Sequence, residues 1–170
     1  MQETPSAWIV KFAPLIKSQG RILDLACGDG RHAEWLAQQG YQVDAIDYNP
    51  LATANLQHIN NIYVSTIDLE TSENPPFARS YDGIIVSHYL YRPLLNTLAK
   101  ILNPSGILIY ETFMVGNARF GKPSNPDFLL MPDELLNIYS GILTVIAFEQ
   151  GEVNEPKPAM MQRICAKNMT

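Results

Sequence analysis

Three aspartates, Asp24, Asp47 and Asp68, each end an apolar run or lie within one turn of its end, and Gly28-Asp29-Gly30 falls between the first two. Glycines let a backbone turn sharply and approach a ligand where a Cβ would collide. A helix opening after such a turn offers unpaired N–H groups and the positive end of its dipole. Asp47 lies 17 residues after Gly30, where a second strand ends and a carboxylate can accept two ribose hydroxyl bonds. Taken singly, each feature has a plainer reading: the glycine pair as a tight turn, an aspartate as a helix cap or solvent-facing group. Their recurrence in register points to a nucleotide-like ligand.

A second group of reactive side chains follows. Ser87-His88-Tyr89-Leu90-Tyr91-Arg92-Pro93 places a histidine, two tyrosines and an arginine after a fourth apolar run. Glu111 ends another run within Tyr110-Glu111-Thr112. A buried strand-end glutamate could serve as a base with a raised pKa, or could pair with Arg92 or Arg119. Tyr89 and Tyr91 read equally as packing residues, and Arg92 as an exposed helix-start residue. The segment 113–131 is long for a compact domain, and such loops are commonly lids. It carries Arg119, Phe120 and Lys122 between glycines, and it reads either as a mobile lid or as a solvated basic loop. Arg92, Arg119 and Lys122 together point to an anionic substrate.

The elements that would position these residues alternate along the chain. Thr4-Pro5 reads as the cap and first turn of an N-terminal helix within 1–18, which Pro14 ends early. Strands are predicted at 21–26, 42–46, 62–67, 81–86 and 107–112, with helices at 31–39, after Asn49-Pro50 and at 93–102. Gly40 closes the helix at 31–39, and Pro75-Pro76 marks a loop. Asn103-Pro104-Ser105-Gly106 reads as a turn, and Pro132 starts a short helix. The runs 142–149 and 160–166 have no long helix between them and pair as an antiparallel hairpin. Continuous apolar strands separated by helices imply an α/β, doubly wound, Rossmann-like sheet, mostly parallel and seven-stranded, with a C-terminal antiparallel pair.

The composition narrows the function further. The 170 residues are 46% hydrophobic and 17% charged, which excludes a disordered chain and suits one domain over 1–170. No apolar stretch is long enough for a membrane span and no signal peptide is evident, so the expected location is cytoplasmic. Cys27, Cys165 and three scattered histidines complete no metal-ligand spacing. A net charge of −5 argues against a broad nucleic-acid surface. Gly28-Asp29-Gly30-Arg31-His32-Ala33 also fits the dinucleotide pattern G-x-G-x-x-G/A, with Asp47 as its ribose acid. Against that reading, a pyrophosphate over the turn would face Asp24 and Asp29, and 170 residues leave little room for a second mononucleotide half.

The run Ile22-Leu23-Asp24-Leu25-Ala26-Cys27-Gly28-Asp29-Gly30 resembles the first motif of the class I S-adenosylmethionine-dependent methyltransferases. The resemblance covers nearly the whole chain and looks strongest to small tellurite-resistance-like and thiopurine-like methyltransferases. Ala26 stands where glycine is usual. The resemblance implies S-adenosylmethionine as cofactor and S-adenosylhomocysteine as product. It implies that the backbone at Ala26, Gly28 and Gly30 passes the methionine portion, with Asp24 near the amino group and Arg31 near the carboxylate. Asp47 would hold the ribose hydroxyls, Tyr48 would pack on the adenine, Asp68 and the Leu69 N–H would meet the adenine ring, and Ser87 would close the methionine end. His88, Tyr89 and Glu111 are then the catalytic candidates, and Tyr91, Arg92 and Arg119 the substrate-binding ones.

Methyl transfer by in-line displacement depends on positioning, and a base is needed only where the nucleophile must lose a proton. The expected function is methylation of a small, anionic or soft-nucleophile (thiol or metalloid) substrate, by a monomer or homodimer with no membrane partner. Two alternatives stay open. An RNA or protein methyltransferase would need Lys157, Arg163, Lys167 and the loop cations in one stripe, and a regulatory protein would bind the cofactor without transfer chemistry.

Overall fold

The computed structural model describes residues 3–71 and 77–170. Five strands carry the parallel part of the sheet: β1 (Arg21–Leu25), β2 (Gln42–Asp47), β3 (Ile62–Thr66), β4 (Tyr81–Ser87) and β5 (Leu102–Phe113). Two more, β6 (Thr144–Val153) and β7 (Ala159–Lys167), form a hairpin. The spatial order is β3-β2-β1-β4-β5-β7-β6, and β7 runs antiparallel to both its neighbours. The expected seven-stranded, doubly wound sheet with a C-terminal antiparallel pair is therefore present. The hairpin inserts its second strand, not its first, against β5. The Pro75-Pro76 loop lies outside the described residues.

Burial on both faces explains why the central strands read as unbroken apolar runs. One face carries Ile22, Val43, Ile85, Ile109 and Cys165 under α1 (Ala7–Phe12) and α2 (Arg31–Gln38). The other carries Leu23, Ile84, Leu108, Tyr110 and Ile164 under α3 (Leu95–Lys100) and α4 (Glu134–Tyr139). Each large apolar side chain so buried contributes roughly 1.5–3 kcal/mol. The buried polar tips find partners: the Trp8 indole donates to the Ile164 carbonyl at 3.3 Å, and the Tyr139 hydroxyl to that of Leu95 at 2.8 Å.

Local signals placed most boundaries, with three exceptions. The cap of α1 is Ser6, whose hydroxyl accepts the Trp8 N–H, rather than Thr4; Pro14 then confines the chain to a 3₁₀ turn, as expected. After Asn49-Pro50 no α-helix forms. The Asn49 side chain accepts the Leu51 N–H, and the chain continues as a 3₁₀ helix at Ala54–His58. Residues 103–106, expected as a turn, form an irregular first part of β5, with Ser105 at φ +64° where the register to β4 shifts.

A buried histidine helps tie the N-terminal segment to α2. The Ser6 N–H donates to His32 Nε2 of α2 at 3.1 Å, and this imidazole is buried. Burial, then Arg31 and His88, push its pKa down to about 3. The unfolded chain therefore binds a proton near pH 6.5 that the folded one refuses. The stability from this site is complete above pH 6.5 and falls by roughly 1.4 kcal/mol per pH unit below it. In His32→Gln, chemical denaturation from pH 6.5 to 4.5 will show a shallower loss of stability than in the wild type.

Candidate functional site

The site lies at the carboxyl ends of β1 and β4, the neighbouring strands from which the chain proceeds in opposite directions across the sheet. Asp24 of β1 stands in register with Ala45 and Ile85. It is 1% exposed, and its Oδ2 has no hydrogen-bond partner among the described residues. Burial pushes its carboxyl up to about 7; the Ala33 amide and Arg31 pull it down, and Asp47 raises it. A buried, orphaned carboxylate oxygen calls for a donor from outside the chain.

The turn beyond β1 shapes that opening. Ala26, Gly28 and Gly30 take φ of +53°, +57° and +84°, so Ala26 tolerates the left-handed backbone that glycine would supply more cheaply. A Cβ at Gly30 would run into the Leu56 side chain, whereas one at Gly28 would meet nothing within 4 Å. The space above Gly28 is thus free for a ligand. The Gly28 N–H donates to Asp47 Oδ2 and the Asn49 N–H to Oδ1, both at 2.9 Å, which aims the carboxylate across the turn. Each of its oxygens keeps a lone pair for a second donor.

A cleft of about 370 Å³ opens here, and Ala26, Asp47, Tyr48, Asp68, Leu69, His88 and Tyr89 line it. Tyr48 stands 72% exposed on its lip, and Leu69 is buried in its wall. Asp68 Oδ1 accepts the Glu70 N–H at 3.0 Å. Tyr89 donates to Glu70 Oε1 at 3.3 Å. Of the residues expected to hold the cofactor, Ala26, Asp47, Tyr48, Asp68 and Leu69 line this cleft, whereas Asp24, Gly28, Gly30 and Ser87 do not line it and Arg31 faces a second cavity.

His88 and Glu111 come together beside it. His88 takes φ +56°, its N–H donates to the Glu111 carbonyl at 3.0 Å, and its ring lies 4.7 Å from that of Phe113. The imidazole has no hydrogen-bond partner among the described residues. Burial holds its pKa below the usual histidine value; Glu111 and Glu3 work against this, and Arg31 and Lys157 with it. It is therefore neutral at neutral pH. Glu111, 2% exposed, accepts from Ser87 Oγ at 3.3 Å and from Arg163 Nε at 3.1 Å. Arg163 also reaches Glu149 at 3.2 Å. The strand registers align Ser87, Glu111, Arg163 and Glu149 in one row. The partner of Glu111 is thus Arg163, not Arg92 or Arg119, because only the hairpin register brings a guanidinium to that carboxylate.

A second cavity, of about 430 Å³, begins on the far side of His88. Its floor is the sheet face of Glu111, Phe113, Met161, Arg163 and Val153, and its walls are residues 3–7, Arg31 and the turn carrying Glu155, Pro156 and Lys157. Arg31 faces it with its guanidinium held by Glu3 at 3.2 Å and by the Thr4 carbonyl at 3.3 Å.

Three expected substrate residues lie elsewhere. The Tyr91 hydroxyl donates to the Glu70 carbonyl at 3.3 Å. Arg92 bonds Glu134 at 2.6 Å and the carbonyls of Asp127 and Leu129 at 3.0 and 2.8 Å, so it ties the loop to α4. Arg119 pairs with Glu152 at 2.6 Å and lies over Phe120. None of the three lines either cavity. Residues 115–131 line neither cavity, and two 3₁₀ turns, a Met114–Leu130 bridge and the buried Asn117, which donates to the Pro123 carbonyl and accepts from the Met160 N–H, organise the segment. The residues that sequence reasoning passed over are Phe113, Met161, Val153 and the 3–7 segment. Strand alternation hinted at the first two, but only the β5–β7 register puts them opposite one another.

A profile of the family described as "Methyltransferase domain" matches residues 1–140. The ubiquinone biosynthesis O-methyltransferase of Vibrio cholerae is 31% identical over 104 residues, covering 54% of this chain and 41% of that protein. The chain spans less than half the length of the curated relatives it matches. Among solved structures, TehB from Haemophilus influenzae superposes with a TM-score of 0.78 at 20% identity, over 96% of this chain and 62% of that one. The N-methyltransferase NodS from Bradyrhizobium japonicum, in complex with S-adenosylhomocysteine, gives 0.71 at 18% identity over 95% and 85%. With its glycine turn, its strand order and a matching profile over most of its length, the chain belongs to the methyltransferase-domain family of class I, S-adenosylmethionine-dependent fold.

Proposed function

We propose that this domain transfers a methyl group from S-adenosylmethionine to a small molecule seated beyond His88. The observation that carries the reading is that His88 lines both cavities, as a residue between donor and acceptor must. The residues present fit the cofactor: an orphaned Asp24 oxygen suits its ammonium, and open space over Gly28 suits its methionine chain. Asp47 would hold the ribose hydroxyls, with Asp68, Leu69 and Tyr48 about the adenine. When bound, the cofactor supplies a methyl group on a positively charged sulfur.

The names of the matched proteins include an N-methyltransferase and an O-methyltransferase, and both kinds of acceptor can lose a proton. In this reading His88 takes that proton, as its neutral ring and unbonded nitrogens allow. Glu111 is a positioning residue: its carbonyl holds the His88 backbone while its carboxylate is occupied by Arg163 and Ser87. Arg163, Arg119 and Arg92 are each paired with a glutamate. That pairing favours a small acceptor over a nucleic acid, which would need those cations free.

Three measurements test the assignments. In titration calorimetry, S-adenosylhomocysteine will bind with proton release below about pH 7, because its ammonium favours the ionised form of Asp24. Asp24→Asn will abolish that release and weaken binding at least tenfold. The same variant will melt higher than wild type without ligand at pH 8, since a carboxyl raised above its unfolded pKa loses stability as pH rises through 7. Asp47→Ala will weaken S-adenosylhomocysteine binding by roughly 2 kcal/mol or more, as expected for a lost charged hydrogen-bond acceptor. With an acceptor in hand, kcat/KM will fall on an acid limb below pH 6.5 and stay flat above it. His88→Gln will remove the limb and lower kcat at least a hundredfold without changing cofactor affinity.

A further inference from the structure

We propose that the second cavity takes an uncharged, flat aromatic acceptor whose nucleophile still carries its proton, a reading that rests on the methyl-transfer assignment above. The charge around the cavity is already balanced within the protein. Arg31 is held by Glu3, and Arg163 by Glu111 and Glu149. Apart from His88, the ionisable lining groups left over, Glu155 and Lys157, are opposite in sign, exposed, and carried on one turn. Among the described residues no buried cation is therefore free to receive an anion, and desolvating an acceptor's charge here would go uncompensated.

The lining that remains is largely apolar. Phe113 and Met161 stand opposite one another on β5 and β7, and Val153 continues the same sheet face on β6. Facing them are Pro5, Ala7 and Pro156, short side chains that leave a slot over the sheet. At about 430 Å³ the space suits a one- or two-ring compound. The His88 ring closes the inner end, 4.7 Å from the Phe113 ring and tilted 31° to it, so an aromatic acceptor can lie along Phe113 with its nucleophile at the imidazole. In the transfer, the nucleophile forms the new bond to the methyl carbon and the carbon–sulfur bond breaks, its electron pair staying on sulfur. The nucleophile's proton goes to the His88 ring, which becomes an imidazolium.

The test uses the full chain saturated with S-adenosylhomocysteine, with 1-naphthol and 1-naphthoate as probes in ligand-observed NMR at pH 7. Naphthol will bind at least tenfold tighter than naphthoate, and S-adenosylhomocysteine will not displace it. Val153→Trp, which fills the slot, will reduce naphthol binding at least tenfold with S-adenosylhomocysteine affinity intact. Val153→Arg, which adds an unpaired cation, will shift the preference toward naphthoate. Equal or tighter naphthoate binding to the wild type, no naphthol binding, or indifference to both substitutions would overturn the proposal. Displacement of naphthol by S-adenosylhomocysteine would also overturn it, by assigning the cavity to the cofactor. A wild type that bound no S-adenosylhomocysteine would fail at the earlier step, removing the methyl-transfer reading and this one with it.

Discussion

The carboxylate of Glu111 is the constraint on which the second cavity of this molecule depends. It sits near the carboxyl end of β5, almost without solvent, and a buried charge left alone would cost several kcal/mol. Its partner comes from 52 residues further along the chain. For Arg163 to arrive, the hairpin must insert β7 beside β5 in antiparallel register, which leaves β6 at the sheet edge. The two-residue alternation of strands then does the rest. The register that delivers Arg163 to Glu111 also sets Met161 against Phe113, and so the polar row and the apolar slot are consequences of one pairing.

The cleft beyond β1 depends on backbone conformation rather than on a salt bridge. Ala26 and His88, each just past the end of one of two adjacent parallel strands, both adopt left-handed φ. A side chain in that conformation costs roughly 1–2 kcal/mol. Each is held there by a hydrogen bond across the sheet: the Cys27 N–H to the Ile46 carbonyl at 2.9 Å, and the His88 N–H to the Glu111 carbonyl at 3.0 Å. The two chain reversals open the crevice between β1 and β4. Asp24 lies buried near the end of β1, and His88 lines the cleft. Strain kept at two strand ends beside a ligand cleft is a common feature of functional sites.

Much of the fold was legible because its signals are local. Ile22-Leu23 and Ile84-Ile85 announce strands buried on both faces, Gly40 ends a helix by its positive φ, and Pro14 stops one by lacking an N–H. The misreadings share a cause, in that a short polar segment had two local solutions. Asn49 could cap an α-helix, yet its side chain closed a turn on the Leu51 N–H instead. Residues 103–106 could turn freely, but pairing carried them into β5, with the Ser105 N–H donating to the Asn168 carbonyl at 2.7 Å.

The site divides in the same way. The cleft and the turn beside it were legible locally, because Asp24, Gly28, Gly30, Asp47 and Asp68 all follow from strand ends and from one turn, and the order of βα units places strand ends together. The sequence also marked His88 and Glu111 as chemistry-bearing ends of neighbouring strands. The destination of each arginine, by contrast, was settled by long-range packing. Arg92, Arg119 and Arg163 are alike in a sequence, but the first bonds loop carbonyls and Glu134, the second Glu152, and the third Glu111. A long, flexible cation pairs with whichever carboxylate the fold brings near, and nearness across 30 to 50 residues is set by strand register, which no local pattern encodes.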